Sequence, residues 1–270
     1  MDTEILKIGF VGLGRMGSAL VSGFLSQGFR PDHVFFVDSN PETAKAATDS
    51  LGIVAMDLNT LLQEVDVLFC CIKPQQVSAF MDSVKADLPK ETTIVSIAAG
   101  VPIDRFQVVH SDQPVIRVMP NTPVMVSEGV SAFASSVQVS EEMESTIVDL
   151  LSSVGIVVKV PESQIDAMTG LSGSGPAFVY RMARVMADAI LAEGVDSSIA
   201  RLVAAQTLVG AGEMLLSTDK SPDELIAEVT SPNGTTAAGL EVFDQSTIDQ
   251  DLTAVVQRAV ARAKELSEEL

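Results

Sequence analysis

A glycine-rich segment near the start of the chain has the spacing of a phosphate-binding loop. Gly12, Gly14 and Gly17 follow an apolar stretch and open a helical pattern. In such a loop the first glycine makes a tight turn, the second lets the backbone approach a pyrophosphate, and the third lets helix and strand pack closely. Because free amides at a helix N-terminus favour an anion, we expect Arg15 and Met16 to lie beside a bound dinucleotide.

An acidic residue lies at the distance expected from this loop. Asp38 ends the second predicted strand, about 20 residues after the last glycine. A carboxylate at that position accepts hydrogen bonds from the adenosine ribose and repels a 2′-phosphate. Ser39 follows it, and no arginine lies beside it. This environment favours NADH over NADPH, and the alternative is a plain helix-capping or turn aspartate.

Three more segments follow predicted strands, at the carboxyl edge where open parallel sheets bind ligands. Lys73 and Pro74 follow an apolar strand, and Ala98 lies among small residues after the next one. Asn121 belongs to a rigid Pro-Asn-Thr-Pro turn after a third strand. We expect these residues to contact the cofactor, and the alternatives are a solvated lysine and an ordinary turn.

Two segments in the second half of the chain would present free amides to a substrate carboxylate. One contains Ser174, and the other begins at Ser231 and reads Ser-Pro-Asn-Gly-Thr-Thr; each opens a predicted helix, so each could also be a simple cap. The two histidines, His33 and His110, do not have the setting of a general base. No zinc-protease or Walker motif is present, and we predict no metal site.

Alternating apolar runs and helical patterns place the first group of residues on an α/β fold. Strands separated by helices predict right-handed crossovers and a mainly parallel sheet, here a Rossmann domain of residues 1–161. The predicted helices are residues 16–27, 41–51, 74–85 and 141–154. The predicted strands are residues 5–11, 33–37, 53–55, 67–72, 93–97, 115–118, 129–134 and 156–160.

After residue 161 the pattern becomes entirely helical, which predicts an all-α domain of residues 162–270. Its predicted helices are residues 164–171, 176–192, 197–217, 222–229, 235–243 and 247–268. The second and third are apolar almost all round, whereas a surface helix carries an apolar stripe on one face. We therefore expect a second subunit to cover them.

Composition narrows the class of partner. The net charge of −19 argues against nucleic acid and anionic membrane. The two cysteines, Cys70 and Cys71, are adjacent and so point to opposite faces of a strand. They are therefore expected to be two small buried hydrophobic residues, which fits a reducing compartment.

No apolar run reaches the roughly 18 residues of a membrane span, and no export signal is seen. We expect a soluble cytoplasmic protein.

These segments together resemble the pyrroline-5-carboxylate reductases over essentially the whole chain. The resemblance implies hydride transfer from NAD(P)H to the C=N bond of Δ1-pyrroline-5-carboxylate, which gives L-proline and ends proline biosynthesis. It also implies a Rossmann domain followed by an α-helical domain that interleaves in a homodimer, sometimes assembled into larger rings. The segments that carry it are GFVGLGRMGSAL, DVLFCCIKP, VSIAAGV, IRVMPNTP, TGLSGSGPAFVY and EVTSPNGTT.

The resemblance also assigns residues. It implies that Asn59, Lys73, Pro74 and Ala98 lie near the cofactor's ribose and nicotinamide. It implies that Gly234, Thr235 and Thr236 belong to the loop that binds the substrate carboxylate, with the Thr236 hydroxyl, the catalytic candidate, near the imine nitrogen; Ser174 and Ser231 are substrate-binding candidates from their place at the start of predicted helices.

Two positions depart from the family pattern. Asp38 stands where many relatives have a small hydroxyl residue suited to a 2′-phosphate. Asn233 replaces a glycine, which matters only if the backbone there has positive φ, a conformation that asparagine tolerates better than most residues.

Two other functions remain open on the sequence alone. One is an NAD(P)H-dependent reductase of another cyclic imine or of a small keto acid. The other is a non-catalytic nucleotide-binding protein that kept the Rossmann domain.

Overall fold

The computed structural model describes residues 6–108 and 110–269. Within these ranges eight strands form a single sheet, and strand prediction agrees with it to within a few residues at each end. Ile5, the predicted start of the first strand, lies outside the described residues. The strands are β1 Ile8–Val11, β2 Val34–Val37, β3 Val54–Ala55, β4 Val67–Cys70, β5 Thr93–Ser96, β6 Val115–Met119, β7 Gly129–Ser135 and β8 Gly155–Lys159.

The sheet has the order β3-β2-β1-β4-β5-β6-β7-β8. Its pairs are parallel except β6 and β7, which run antiparallel. The predicted mainly parallel Rossmann sheet is therefore confirmed. Since the chain winds outward in both directions from β1 and β4, the carboxyl ends of these two strands form the crevice in which such folds bind nucleotides.

The helices follow the predicted pattern with one addition. Helix α3 was not predicted, because seven residues after a two-residue strand are too few to show a clear helical period. The helices are α1 Arg15–Ser26, α2 Pro41–Leu51, α3 Leu58–Glu64, α4 Pro74–Val84, α5 Glu141–Ser152, α6 Ile165–Met168, α7 Gly175–Leu191, α8 Ser197–Ser217, α9 Pro222–Val229, α10 Thr235–Gln245 and α11 Ile248–Glu268.

The central strands are buried on both faces, which explains why they read as continuous apolar runs. One face packs against α1 and α5, and the other against α3 and α4. On the first face the rings of Phe10 and Phe69 stack with centroids 4.8 Å apart, and Phe24 of α1 packs against both. These aromatic contacts join β1, β4 and α1 directly beneath the crevice.

The described chain divides into two compact units. The first runs to Ser174 and includes the stretch from Ala259 onwards, and the second is Gly175–Arg258. These units are defined by packing, whereas the boundary at residue 161 marks the change in secondary structure, so that boundary stays a prediction.

The second unit, taken by itself, exposes much apolar surface. Its buried cluster contains Ala187, Ala200 and Ala204, while long apolar side chains such as Leu202, which is 67% exposed, cover α7 and α8. By length and composition alone α8 is apolar enough to cross a membrane, with a mean hydropathy of 1.3. The sequence does not show this as one apolar run, because Arg201 and Glu213 interrupt it.

The last turns of α11 are fixed within the first unit by a polar network. Arg117 of β6, only 5% exposed, pairs with Asp166 at 2.9 Å and with Glu162 at 3.4 Å. The Ser267 hydroxyl donates to the same Asp166 carboxylate at 3.0 Å. A buried guanidinium needs such partners, since an unpaired charge in the interior is strongly destabilising. The network links β6, α6 and the end of α11.

A close backbone approach accompanies this network. After α6 the chain forms a π-helical turn, Thr169–Gly173, whose first three residues were predicted to continue an α-helix. A Cβ atom on Gly170 of this turn would lie 2.6 Å from the Val260 backbone nitrogen. Glycine is therefore required for α11 to pack here.

We expect Gly170→Ala to destabilise the protein by about 1–3 kcal/mol, the usual cost of overpacking a close contact. The matched control is Gly175→Ala, because a Cβ atom at Gly175 meets open space. Urea unfolding of both variants measures the difference. Equal midpoints for the two variants would show that α11 does not depend on Gly170.

Candidate active site

The predicted glycine loop lies at the crevice between β1 and β4. Gly12 has φ +88° and its amide donates to the Val37 carbonyl at 2.9 Å. A Cβ atom on Gly12 would lie 2.9 Å from the Cys71 carbonyl oxygen, and one on Gly17 would lie 2.8 Å from the Gly12 carbonyl oxygen. Both positions thus need glycine for the fold itself.

Gly14 differs from these two glycines because a Cβ atom there would meet nothing within 4 Å. It is the N-cap residue of α1, and the first bond within the helix runs from the Ser18 amide to its carbonyl. The amides of Arg15, Met16 and Gly17 therefore have no acceptor within the helix. Open space beside free amides at the positive end of a helix suits a pyrophosphate.

A cavity of about 280 Å³ continues from this loop. Lys73, which was predicted to contact the cofactor, lines it and is the N-cap residue of α4. The apolar lining residues could not be predicted from the sequence, since nothing in their types distinguishes them from ordinary core residues. The lining consists of Gly14, Arg15, Met16, Gly17, Cys71, Ile72, Lys73, Ile97, Met119 and Pro120.

Cys70 is buried, as the sequence predicts, whereas Cys71 is only half-buried. Burial raises the pKa of the Cys70 thiol to about 12, and desolvation holds the pKa of the Cys71 thiol well above its usual value. Both side chains are therefore neutral thiols at physiological pH, although Cys71 lines the cavity.

Asp38 lies at the end of β2 with both carboxylate oxygens hydrogen-bonded. Oδ2 accepts from the Leu13 amide at 2.7 Å, and Oδ1 accepts from the Asn40 amide at 2.8 Å. Ser39 beside it is exposed. Asn59 is also exposed, in the first turn of α3.

Asn121 is only 7% exposed and is held between two backbone groups. Its Oδ1 accepts from the Val130 amide at 2.9 Å, and its Nδ2 donates to the Ser172 carbonyl at 3.0 Å. Its amide therefore fixes the π-helical turn against the carboxyl end of β6. Ala98, another predicted cofactor residue, is buried in the core, whereas its neighbour Ile97 lines the cavity.

Ser174 ends the π-helical turn, and its amide donates to the Thr169 carbonyl at 3.1 Å. Pro74 lines a second cavity of about 240 Å³ with Ala99, Gly100, Asp166 and other residues. Pro74 and Lys73 are adjacent in the chain but line different cavities.

The Ser231–Thr236 segment belongs to the second unit, where it forms the tight entry to α10. The Gly234 amide donates to the Ser231 carbonyl at 3.0 Å, and Gly234 is the N-cap residue of the helix. The first bond within the helix runs from the Ala238 amide to the Gly234 carbonyl, which leaves the Thr235 and Thr236 amides without an acceptor in the helix. This end of α10 suits a carboxylate.

Asn233 has φ +59°. The position does need the left-handed conformation, and asparagine meets that need with less strain than most residues. The departure from the family's glycine therefore leaves the loop geometry intact.

Comparisons with known proteins extend over the whole chain. Residues 162–266 match a family model described as pyrroline-5-carboxylate reductase dimerisation. Residues 7–100 match a model described as NADP oxidoreductase, coenzyme F420-dependent. A pyrroline-5-carboxylate reductase of Methanosarcina acetivorans is 40% identical over 97% of this chain and 98% of its own length. A pyrroline-5-carboxylate reductase of Arabidopsis thaliana is 33% identical over 99% of this chain and 98% of its own length.

Solved structures give the same family. A pyrroline-5-carboxylate reductase from Coxiella burnetii superposes with a TM-score of 0.92 at 27% identity, covering 97% of this chain and 98% of its own. A pyrroline carboxylate reductase from Plasmodium falciparum with NADP bound superposes with a TM-score of 0.86 at 28% identity, with the same coverage.

The different surroundings of two glycines predict different defects. Gly14→Ala adds a methyl group to open space, so the fold should keep its stability while affinity for NAD(P)H falls by about tenfold, or about 1.4 kcal/mol. Gly17→Ala should instead lower the melting temperature, because its methyl group meets the Gly12 carbonyl. Thermal unfolding and fluorescence titration with NADH and NADPH measure both effects. Unchanged cofactor affinity in Gly14→Ala would mean that no phosphate approaches this loop.

Proposed function

Because the chain belongs to the pyrroline-5-carboxylate reductase family, we propose that it reduces Δ1-pyrroline-5-carboxylate to L-proline, the last step of proline biosynthesis. It is an NAD(P)-dependent oxidoreductase and a homo-oligomer that acts on a small molecule. NAD(P)H, when bound, would supply a hydride to the carbon of the C=N bond. The observation that carries the proposal is the full-length likeness together with an intact glycine loop and an intact Ser231–Thr236 loop.

The glycine loop and the cavity beside it are the proposed cofactor site. The first-turn amides of α1 bind the pyrophosphate, while Arg15 and Lys73 add positive charge at the edge of the cavity. Asp38, Ser39 and Asn59 lie towards the adenosine ribose, and Ala98 and Pro74 lie near the nicotinamide. Asn121 supports the wall of the cavity through its two backbone bonds.

The N-terminus of α10 is the proposed site for the substrate carboxylate. Its free amides and helix dipole favour an anion, and Ser231 supplies a further hydroxyl group. The Thr236 hydroxyl hydrogen-bonds the imine nitrogen and so orients the C=N bond. An imine needs little further acid catalysis, because it is partly protonated near neutral pH.

The decisive assay follows oxidation of NADH and NADPH, side by side, with Δ1-pyrroline-5-carboxylate as substrate. We expect proline as the product. A panel of other cyclic imines and small keto acids tests the closest alternative, a reductase of different specificity on the same scaffold. Cofactor binding without turnover of any member of the panel would indicate a nucleotide-binding protein.

The second unit is the proposed subunit interface. Helices α7 and α8 cannot bury their apolar surfaces within one copy of this unit, and two interleaved copies would cover them. We propose a homodimer, able to assemble into larger rings, that works in the cytoplasm without nucleic acid or membrane partners. The apolar character of α8 then serves contact between subunits.

We expect light scattering to give a dimer or a multiple of a dimer at micromolar concentration. Leu202→Glu should dissociate it, because a charge would be buried without a partner. Val137→Glu is the matched control, since Val137 lies in the first unit and is 96% exposed. A stable, well-folded wild-type monomer would contradict the proposed interface.

We expect Thr236→Ala to lower kcat/KM for the imine by roughly tenfold to a hundredfold, since one lost hydrogen bond to the substrate costs about 1–3 kcal/mol. Its affinity for NAD(P)H should not change. Thr236→Ser keeps the hydroxyl group and should recover most of the activity. An equal loss of cofactor affinity, or normal turnover, would place Thr236 outside the substrate site.

A further inference from the structure

The Asp38 carboxylate is bonded to the glycine loop itself. The Leu13 amide, between Gly12 and Gly14, donates to Oδ2 at 2.7 Å, and the Asn40 amide donates to Oδ1 at 2.8 Å. The side chain therefore bridges the loop after β1 and the turn after β2. Bonds of this kind, from an amide to an ionised acceptor, are stronger than those between neutral groups.

The end of β2 holds two successive amides of the loop. The Val37 carbonyl accepts from the Gly12 amide at 2.9 Å, and the Asp38 carboxylate accepts from the next amide along the chain. The carbonyl of Leu13 is bonded as well, because the Ser18 hydroxyl donates to it at 2.9 Å. Both peptide groups of Leu13 are thus fixed, immediately before the helix turn whose free amides face the proposed phosphate site.

We propose that Asp38 is a positioning residue for the glycine loop, holding the first-turn amides of α1 in the orientation that binds the cofactor pyrophosphate. This role rests on the proposed function and adds to the part that the sequence predicts for Asp38 in choosing NADH. Both cofactors carry the same pyrophosphate, so loss of the carboxylate weakens NADH and NADPH alike. Asp38→Ser would therefore weaken the binding of both cofactors, in addition to any change in the preference between them.

Asp38→Asn separates positioning from charge repulsion. The substitution removes the negative charge, which would favour NADPH if Asp38 only repelled a 2′-phosphate. It also replaces one acceptor oxygen by an NH2 group, which leaves one of the two backbone amides without its acceptor. Positioning and repulsion thus predict opposite effects on NADPH.

Asp66→Asn is the matched control. The Asp66 carboxylate accepts from the Lys7 amide at 2.9 Å, just before β4 begins, at the amino edge of the same sheet. The same atoms are exchanged there, at the edge opposite the crevice, but the oxygen that remains can still accept from the Lys7 amide. Any general effect of removing a carboxylate charge from the edge of the sheet appears in both variants.

The experiment measures dissociation constants for NADH and NADPH by fluorescence titration of the full-length wild type, Asp38→Asn and Asp66→Asn. We expect Asp38→Asn to weaken the binding of both cofactors, that of NADH by about tenfold, or about 1.4 kcal/mol. Steady-state kinetics should show a raised KM for each cofactor with kcat preserved at saturation, and Asp66→Asn should match the wild type in all these constants. Tighter NADPH binding in Asp38→Asn, or unchanged constants for both cofactors, would overturn the proposal.

Hydrogen exchange of the wild type covers the case in which Asp38→Asn does not fold. The Leu13 amide should be protected without cofactor, and exchange at the rate of an open loop would also overturn the proposal. The titrations and the hydrogen exchange do not require turnover of the imine, so a failed substrate assignment leaves them valid. If the wild type bound neither NADH nor NADPH, that result would instead contradict the proposed function.

Discussion

The close approach of three backbone segments at the end of β1 is the constraint on which the nucleotide site depends. Gly12 touches the Cys71 carbonyl, and Gly17 touches the carbonyl of Gly12, so strand β1, strand β4 and helix α1 meet with no side chain between them. This contact brings the start of α1 directly over the crevice. The helix amides can then act on a ligand at the switch point of the sheet without any charged side chain beneath them.

A second set of contacts secures the far wall of that crevice. Asn121 joins the end of β6 to the π-helical turn, and Arg117 of the same strand joins α6 to the end of α11 through Asp166. Strand β6 thus holds two segments that lie far along the chain from it. The π-helical turn, which ends in the candidate substrate residue Ser174, gains its position from these long-range bonds, as segments of this kind often do at functional sites.

Local patterns were enough to predict much of this structure. The period of the apolar residues predicts the strands and most helices, and the glycine spacing predicts the loop because each glycine answers a local steric need. Short elements such as α3 are not predicted, because they contain too few residues to show a period. The π-helical turn is not predicted either, since a sequence that favours α-helix does not reveal one inserted residue.

The long-range bonds could not be predicted from local pattern. Asp38 reaches Leu13 and Arg117 reaches Asp166 only because the sheet order brings those segments together. The sequence predicts that Asp38 binds the adenosine ribose. The structure shows in addition that each of its carboxylate oxygens accepts a hydrogen bond from a backbone amide. The assigned roles of Thr236 and its neighbours rest on likeness to a family, since nothing in their types or spacing specifies an imine.

The protonated state of Cys71 has a chemical consequence for a pocket that handles electrophiles. A thiolate on the wall would add to the carbon of an imine or an aldehyde and trap it as a covalent adduct. Desolvation keeps the pKa of Cys71 well above its usual value, so the sulfur stays a poor nucleophile. The cavity can therefore carry a sulfur atom in its lining without carrying a thiolate.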